Sequence, residues 1–393
     1  MKTRFVILIV GGLLAAEFAF HHQIARTIKA VASDLGLTEK KVQPRAVLPE
    51  GAVQSNEFAF VFEGIASLPV EDAAAGVVGV PGQPGFWIAE MGSLAPGPYK
   101  LDAFLAQNGF ANAADSNGGI RQIIDVEGTR FALGGFNEGD CYFGAVIDLD
   151  HLRLVDRFPC LPDSTDRLDM KGFGGGYAVV GKALYMALGT ASDAVQSSKN
   201  ELAQDLTSPY GKILRYEIAT GPDGVALQNR QIYTRGHRNP QGMLVLGDLL
   251  LAVEHGPKGG DEINLIVQDN NYGWPLYSAG SGYDELDIPS FAAAGTGFTA
   301  PIFSFVPSIG ISDLSACPTI IRDKKGGNAD CLIVSALRDE AIYIVMADLA
   351  AKQVYSVERV PVGARVREVF LVDDTMYLVP DFSNIIRVTI EPL

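Results

Sequence analysis

The chain has 393 residues, a formal net charge of −15, 48% hydrophobic residues and 20% charged residues. That composition supports a packed core and excludes global disorder, and the length suits one large domain or two ordinary ones. So acidic a chain lacks the basic surface that nucleic-acid phosphates demand. The 43 Gly and 21 Pro signal frequent turns, and therefore short strands rather than long helices.

In chain order, Lys2 and Arg4 precede an apolar run from Phe5 to Phe20 that only Glu17 interrupts. This is the pattern of an export signal. The run is short for a full transmembrane helix, and the nearest small-x-small site, Ala30-Val31-Ala32, lies well downstream. An uncleaved anchor over residues 1–22 is expected, with a cleaved signal peptide as the alternative. Either places the body in the periplasm or another extracytoplasmic space, with the N-terminal segment as its one membrane contact. Residues 23–50 form a polar linker, and residues 51–393 the body.

Within the body one pattern recurs: a hydrophobic strand, a short Gly/Asp turn, and a second strand. It is clearest in "GGYAVVGKALYMALG", "GMLVLGDLLLAVEHG" and "REVFLVDDTMYLVPD". Weaker echoes lie near 76–92, at 140–150 and at 330–345, which makes six units. Irregular spacing with almost no sustained helical period predicts an all-β, six-bladed β-propeller with loop insertions. A β-sandwich is the alternative, although one sandwich rarely absorbs so long a body. A helix is expected over 193–206 and a long surface loop over 276–300. Of the four cysteines, Cys317 and Cys331 flank one short loop and are the favoured disulfide; independent buried thiols are the competing reading for Cys141, Cys160, Cys317 and Cys331.

Polar chemistry concentrates between Gly236 and Pro275. In "GHRNPQG", Pro240 imposes extended backbone on Asn239, and Arg238 can offer a planar fork to carboxylate or quinone oxygens. In "EHGPKGGDEIN", a glycine-rich turn exposes backbone carbonyls of the kind that ligate hard cations, with Asp261 and Glu262 beside them. Taken singly, these features suit a surface ion pair and an ordinary β-turn equally well. "NYGWP" reads most simply as packing between blades.

Together with "GKILRYE" at 211–217, these motifs resemble the soluble quinoprotein sugar dehydrogenases (glucose/sorbosone and aldose sugar dehydrogenases). Four ordered motifs within about 65 residues are far more specific than a lone short pattern. The resemblance implies a six-bladed propeller that uses pyrroloquinoline quinone (PQQ) and calcium, a sugar or other polyol substrate, and an external electron acceptor. It places Arg238, Asn239, Arg338, Arg365 and Arg367 on PQQ, and the carbonyls of Gly256 and Pro257 on calcium. Arg338 stands where the family usually has Lys. Arg365 and Arg367, two apart on a strand, share one face.

The resemblance breaks at the catalytic base. The family's His, which takes the substrate hydroxyl proton, falls here on Gly172, or on Lys171 if the register slips by one. Its supporting Asp falls on Thr190. His21, His22, His151, His237 and His255 lie elsewhere in the pattern, which leaves Lys171, Asp169 and Asp193 as substitutes. The sequence allows three outcomes. One is an exported PQQ-dependent sugar dehydrogenase-like oxidoreductase with a changed base, in which Arg238 and Lys171 carry the catalytic roles. The second is a catalytically silent propeller that binds PQQ, calcium or sugar. The third is a tethered interaction propeller. The three retained arginines favour the first two.

Overall fold

The computed structural model describes residues 46–91, 100–113, 118–162, 170–192, 197–222, 224–282, 297–325 and 329–393. Contacts divide the chain into Met1–Pro44 and Arg45–Leu393, and the described residues all belong to the second unit. The expected anchor, most of the linker, Asp169, Asp193 and residues 283–296 of the expected surface loop lie outside the described residues. No described helix is long and apolar enough to cross a membrane.

The described strands form six antiparallel sheets. Sheet I pairs Ala74–Val78 with Trp87–Glu90. Sheet II holds Gly119–Val126, Thr129–Glu138, Cys141–Asp148 and Arg153–Arg157, with the short Ala111–Asn112 at its margin. Sheet III runs from Gly174–Val180 through Ala183–Leu188 and Lys212–Gly221 to Gly224–Arg235. Sheet IV comprises Pro240–Leu246, Leu249–Glu254, Asp261–Ile266 and Phe303–Phe305; sheet V comprises Ile311–Ala316, Asp330–Ala336, Ala341–Asp348 and Gln353–Pro361. Sheet VI joins both ends of the body: Val366–Val372, Thr375–Pro380 and Asn384–Pro392 continue into Phe58–Pro69 and Val53–Gln54. Each of the six recurring sequence units falls in a different sheet.

Alternation explains that closure. Phe58, Phe60 and Phe62 point one way and are buried, while Val61 between them is exposed. Phe60 pairs with Ile390 and Phe62 with Val388 across the ladder. The buried rings pack on Ile333 and Ile344 of sheet V. Each fully buried Phe is worth about 1.5–3 kcal/mol, so Phe60→Ala would loosen the joint between the two ends of the body.

Every neighbouring pair of sheets has its own apolar seam. Ala89 and Ile123 share one cluster between I and II, Phe131 and Leu184 one between II and III, and Ala187 and Ala252 one between III and IV. Leu251 and Val334 share one between IV and V, Ile333 and Leu378 one between V and VI, and Val379 and Ala74 one between VI and I. The seams therefore close a circle. The first strand of each sheet faces a central cavity of about 510 Å³, to which the six contribute Val77, Gln122, Tyr177, Gly242, Asp313 and Glu368. Gly242 has to be small: a Cβ there would lie 2.3 Å from Asp313 Oδ1.

The helix expected over 193–206 is a short 3₁₀ turn, Ser198–Ala203, capped by the Ser197 hydroxyl, which accepts from the Lys199 N–H. Its polar residues favour caps and tight turns over a sustained α-helix. Cys317 and Cys331 are bridged as the loop spacing suggests, and so are Cys141 and Cys160, whose separation of 19 residues gave no comparable signal. No described cysteine is free.

Candidate functional site

Cationic side chains gather in two places; of the arginines expected on PQQ, Arg367 lines the cavity, while Arg238 lines a separate small space. The first forms where the chain passes from sheet III to sheet IV. His237 is fully buried; its Nε2 lies 2.9 Å from Thr234 Oγ1, its Nδ1 lies 3.2 Å from Glu254 Oε1, and its ring stacks on Tyr272. Glu254 Oε2 accepts the backbone N–H of Arg238 at 2.9 Å. Both groups are thus committed to holding the turn, and His237 is not placed as a base.

Arg238 is 4% exposed. Its Nη1 donates to the carbonyl oxygens of Gly256 at 2.9 Å and His255 at 3.3 Å, and its guanidinium carbon lies 5.4 Å from the centre of a Trp274 ring. The Asn239 side-chain oxygen accepts from Gly174 N at 3.1 Å and Gln241 Nε2 at 2.6 Å, which ties this turn to the cavity wall. Asp261 spends Oδ1 on Gly256 N, and Oδ2 on the N–H groups of Ile309, Gly310 and Ile311. Burial, then the neighbouring Glu254, pushes the Glu262 carboxyl well above the usual carboxylate range.

The second cluster is at the start of sheet VI. Arg367 makes a two-pronged contact with Asp381, Nε to Oδ1 at 3.1 Å and Nη2 to Oδ2 at 2.8 Å. Arg365 Nε lies 3.5 Å from the same Oδ2, and its Nη1 reaches Leu337 O, the residue before exposed Arg338. Arg365 lies just before the strand Val366–Val372 and so does not share a strand face with Arg367, but both reach one buried carboxylate. Asp381 also accepts Ala74 N, which bonds sheet VI to sheet I.

The turn to which the resemblance assigns the base, at Gly172 or Lys171, precedes the first strand of sheet III. Gly172 has φ +78°, a left-handed conformation, and a Cβ there would lie 3.0 Å from Ser192 O. Thr190 is buried; its hydroxyl donates to Asn200 Oδ1 at 2.8 Å, and that oxygen also accepts from Trp274 Nε1 at 3.1 Å. A neutral Thr190–Asn200–Trp274 chain thus runs beneath Arg238. Lys171 is exposed on the preceding turn. His151 pairs with Asp148 on sheet II.

Sequence reasoning missed Asp381, Asn200 and the cavity carboxyls of Asp313 and Glu368. Each sits in an ordinary strand or turn, and only the fold brings it to the site. Among the described residues, no group of three or more His, Cys, Asp and Glu is arranged to hold a metal.

The profile described as Glucose / Sorbosone dehydrogenase matches residues 162–387, more than half of the chain. The chain belongs to the glucose/sorbosone dehydrogenase family. Aldose sugar dehydrogenase YliI of Escherichia coli is 32% identical over 185 residues, covering 44% of this chain and 47% of that protein. Quinoprotein glucose dehydrogenase B of Acinetobacter calcoaceticus is 36% identical over 107 residues, covering 25% of this chain and 22% of its own. The chain thus spans about half, or less, of the curated relatives it matches. Among solved structures, the apo soluble aldose sugar dehydrogenase of Escherichia coli superposes with TM-score 0.63 at 22% identity, covering 85% of this chain and all of that one. The PQQ-bound aldose sugar dehydrogenase of Streptomyces coelicolor gives TM-score 0.56 at 19% identity, with 86% and 100% covered. At these identities the likeness concerns the fold. All four family motifs between residues 211 and 275, and the Arg365–Arg367 pair, lie inside the matched span.

Proposed function

We propose that this glucose/sorbosone dehydrogenase family member is an exported, six-bladed propeller that binds PQQ at the cavity mouth and oxidises a sugar or similar polyol. Its residues 1–22 would be the anchor or signal, 23–50 a linker and 51–393 the propeller. The two disulfides support an oxidising, extracytoplasmic compartment such as the periplasm. The observation that carries the cofactor reading is the pair Arg365 and Arg367, which share the single carboxylate of Asp381. That excess of positive charge fits a tricarboxylate quinone, because planar guanidinium forks match carboxylates in pairs. Calcium fits less well: the Gly256 oxygen expected to ligate it already accepts from Arg238. No step is assigned to that ion.

Bound here, PQQ would supply the two-electron acceptor for the substrate carbinol hydride. Arg338, Arg365 and Arg367 would hold its carboxylates, and Asn239 would fix its edge. Arg238 would set a positive charge where negative charge gathers during transfer. Lys171, exposed at the turn, would take the hydroxyl proton only as its neutral amine, since its ammonium has no lone pair. An external acceptor would then restore the oxidised cofactor.

Gly172 and Thr190 favour a second reading, a silent binder of the same ligands. Glycine has no side chain, and the Thr190 hydroxyl donates its proton to Asn200. The two readings separate in one experiment: titrate the purified full-length chain with PQQ, then add a panel of aldoses and a dye acceptor. Binding with dye reduction that falls in Lys171→Ala supports the dehydrogenase. Binding without reduction supports the silent binder. No binding of PQQ would defeat both.

A further inference from the structure

A calcium ion held on a loop needs about six to eight oxygens at roughly 2.3–2.6 Å, with lone pairs turned towards it. The Gly256–Pro257 turn offers two carbonyls, and both have partners. Gly256 O accepts from Arg238 Nη1 at 2.9 Å, and Pro257 O faces Ser308 Oγ at 3.4 Å. A third carbonyl, that of His255, also takes Nη1 at 3.3 Å.

Arg238 is poorly placed to withdraw. Its backbone N–H is fixed by Glu254, its guanidinium is stacked near Trp274, and the residue is 4% exposed. The space around it, bounded by Glu254, Gly256, Glu262 and Tyr277, amounts to about 10 Å³. That is at or below what a single water needs. The nearby acids do not complete a metal shell while Nη1 holds these carbonyls; without it, the carbonyls and water would remain to do so. Asp261 gives both oxygens to backbone N–H groups, and Glu254 serves His237, Arg238 N and Asn264. What the turn has instead is a delocalised cation whose Nη1 donates to two carbonyls, and two carboxylates, Glu254 and Glu262, lining the same space.

We infer that Arg238 is the built-in cation of this turn: its guanidinium stands where a divalent ion would ligate, so the chain presents positive charge to an anionic ligand without calcium. The inference deepens the proposed function, and rests on it only for the cofactor measurement. The expected consequence is a metal-independent quinone site.

The test begins with metal-free full-length wild type titrated with terbium(III), a calcium-sized reporter, with indole excitation. Trp274, one of two tryptophans in the chain, lies beside the site. Wild type is expected to give no saturable, calcium-displaceable emission. Arg238→Met, checked for folding by its melting profile, is expected to gain such emission and at least about tenfold in calcium affinity. In parallel, PQQ affinity of wild type is measured in EDTA and in calcium, and should agree within about twofold. One calcium per wild-type chain, with terbium emission lost in Trp274→Phe, overturns the inference. So does a folded Arg238→Met that gains nothing, or PQQ affinity that drops about tenfold or more in EDTA. If Arg238→Met does not fold, the wild-type titrations decide alone. If PQQ binds under neither condition, the proposed function fails while the metal titration still judges Arg238.

Discussion

Asp381→Asn separates the stabilising role of the second cation cluster from its ligand-binding role. The carboxylate is buried, and it takes both prongs of Arg367 at 3.1 and 2.8 Å. Breaking a buried pair from one side costs about 3–5 kcal/mol. Arg365, 3.5 Å away but more than a third exposed, adds only about 0.2–1 kcal/mol because solvent screens it. An asparagine oxygen still accepts one hydrogen bond, which returns about 1 kcal/mol. The net loss is about 2–5 kcal/mol, a fall in Tm of about 3–7 °C for a body of this size. Differential scanning calorimetry at neutral pH measures it. The same change removes the negative charge that competes for Arg365 and Arg367, so saturating PQQ should raise the variant's Tm more than that of wild type. A variant that melts with wild type would refute the claim that Asp381 holds the arginines. A smaller PQQ shift in the variant would refute the claim that they are held for an anion.

Restoring the family residue by Gly172→His should cost about 1–3 kcal/mol, because φ +78° and Ser192 O leave no relaxed place for a side chain, and dye-linked turnover should not rise; a stable, more active variant would contradict this. Lys212 gives Nζ to the carbonyls of Leu202, Ala203 and Tyr210 at 2.5, 3.0 and 2.9 Å, so Lys212→Met should lose about 3 kcal/mol or more in urea unfolding. In the cavity, desolvation and then Glu368 raise Asp313 well above the carboxylate range; desolvation raises Glu368 against the opposing Gln122 and Arg367. The folded state therefore keeps protons that the unfolded chain sheds near pH 4, and this stability is full below that pH and lost as pH rises through the raised values. The Asp313→Asn, Glu368→Gln double variant should consequently lose less Tm than wild type between pH 5 and 9, as followed by circular dichroism.

The all-β character was legible because its signals are local. Strand alternation and Gly/Asp turns need no partner to be recognised, and each recurring unit found its own sheet. The closing strand Phe58–Pro69 was less visible, since its pairing with Asn384–Pro392 spans almost the whole body. The site divided the same way. Arg238, Asn239 and the Gly256 turn lie within one contiguous motif block, and the structure does bring Arg238 onto Gly256. What each arginine is bonded to was not legible. Asp381 is 14 residues beyond Arg367 in a turn with no motif, and Asn200 sits in a 3₁₀ turn that resembled a longer helix.

Gly172, Thr190 and the Gly256 turn belong to one connected structure. In this chain the positions that would carry a His–Asp pair hold a left-handed glycine and a threonine whose hydroxyl faces Asn200. Asn200 in turn fixes the Trp274 indole N–H, and Trp274 flanks the guanidinium that occupies Gly256 O. A charged His–Asp pair in place of this neutral chain would alter the field on Arg238 directly, because Thr190 N also donates to Arg238 O at 2.9 Å. Thr190 and the seated Arg238 are therefore neighbours in one hydrogen-bonded unit. Substituting either one alone leaves the other in a setting built for its present partner, which is why a single-site Gly172→His reversion is expected to fail.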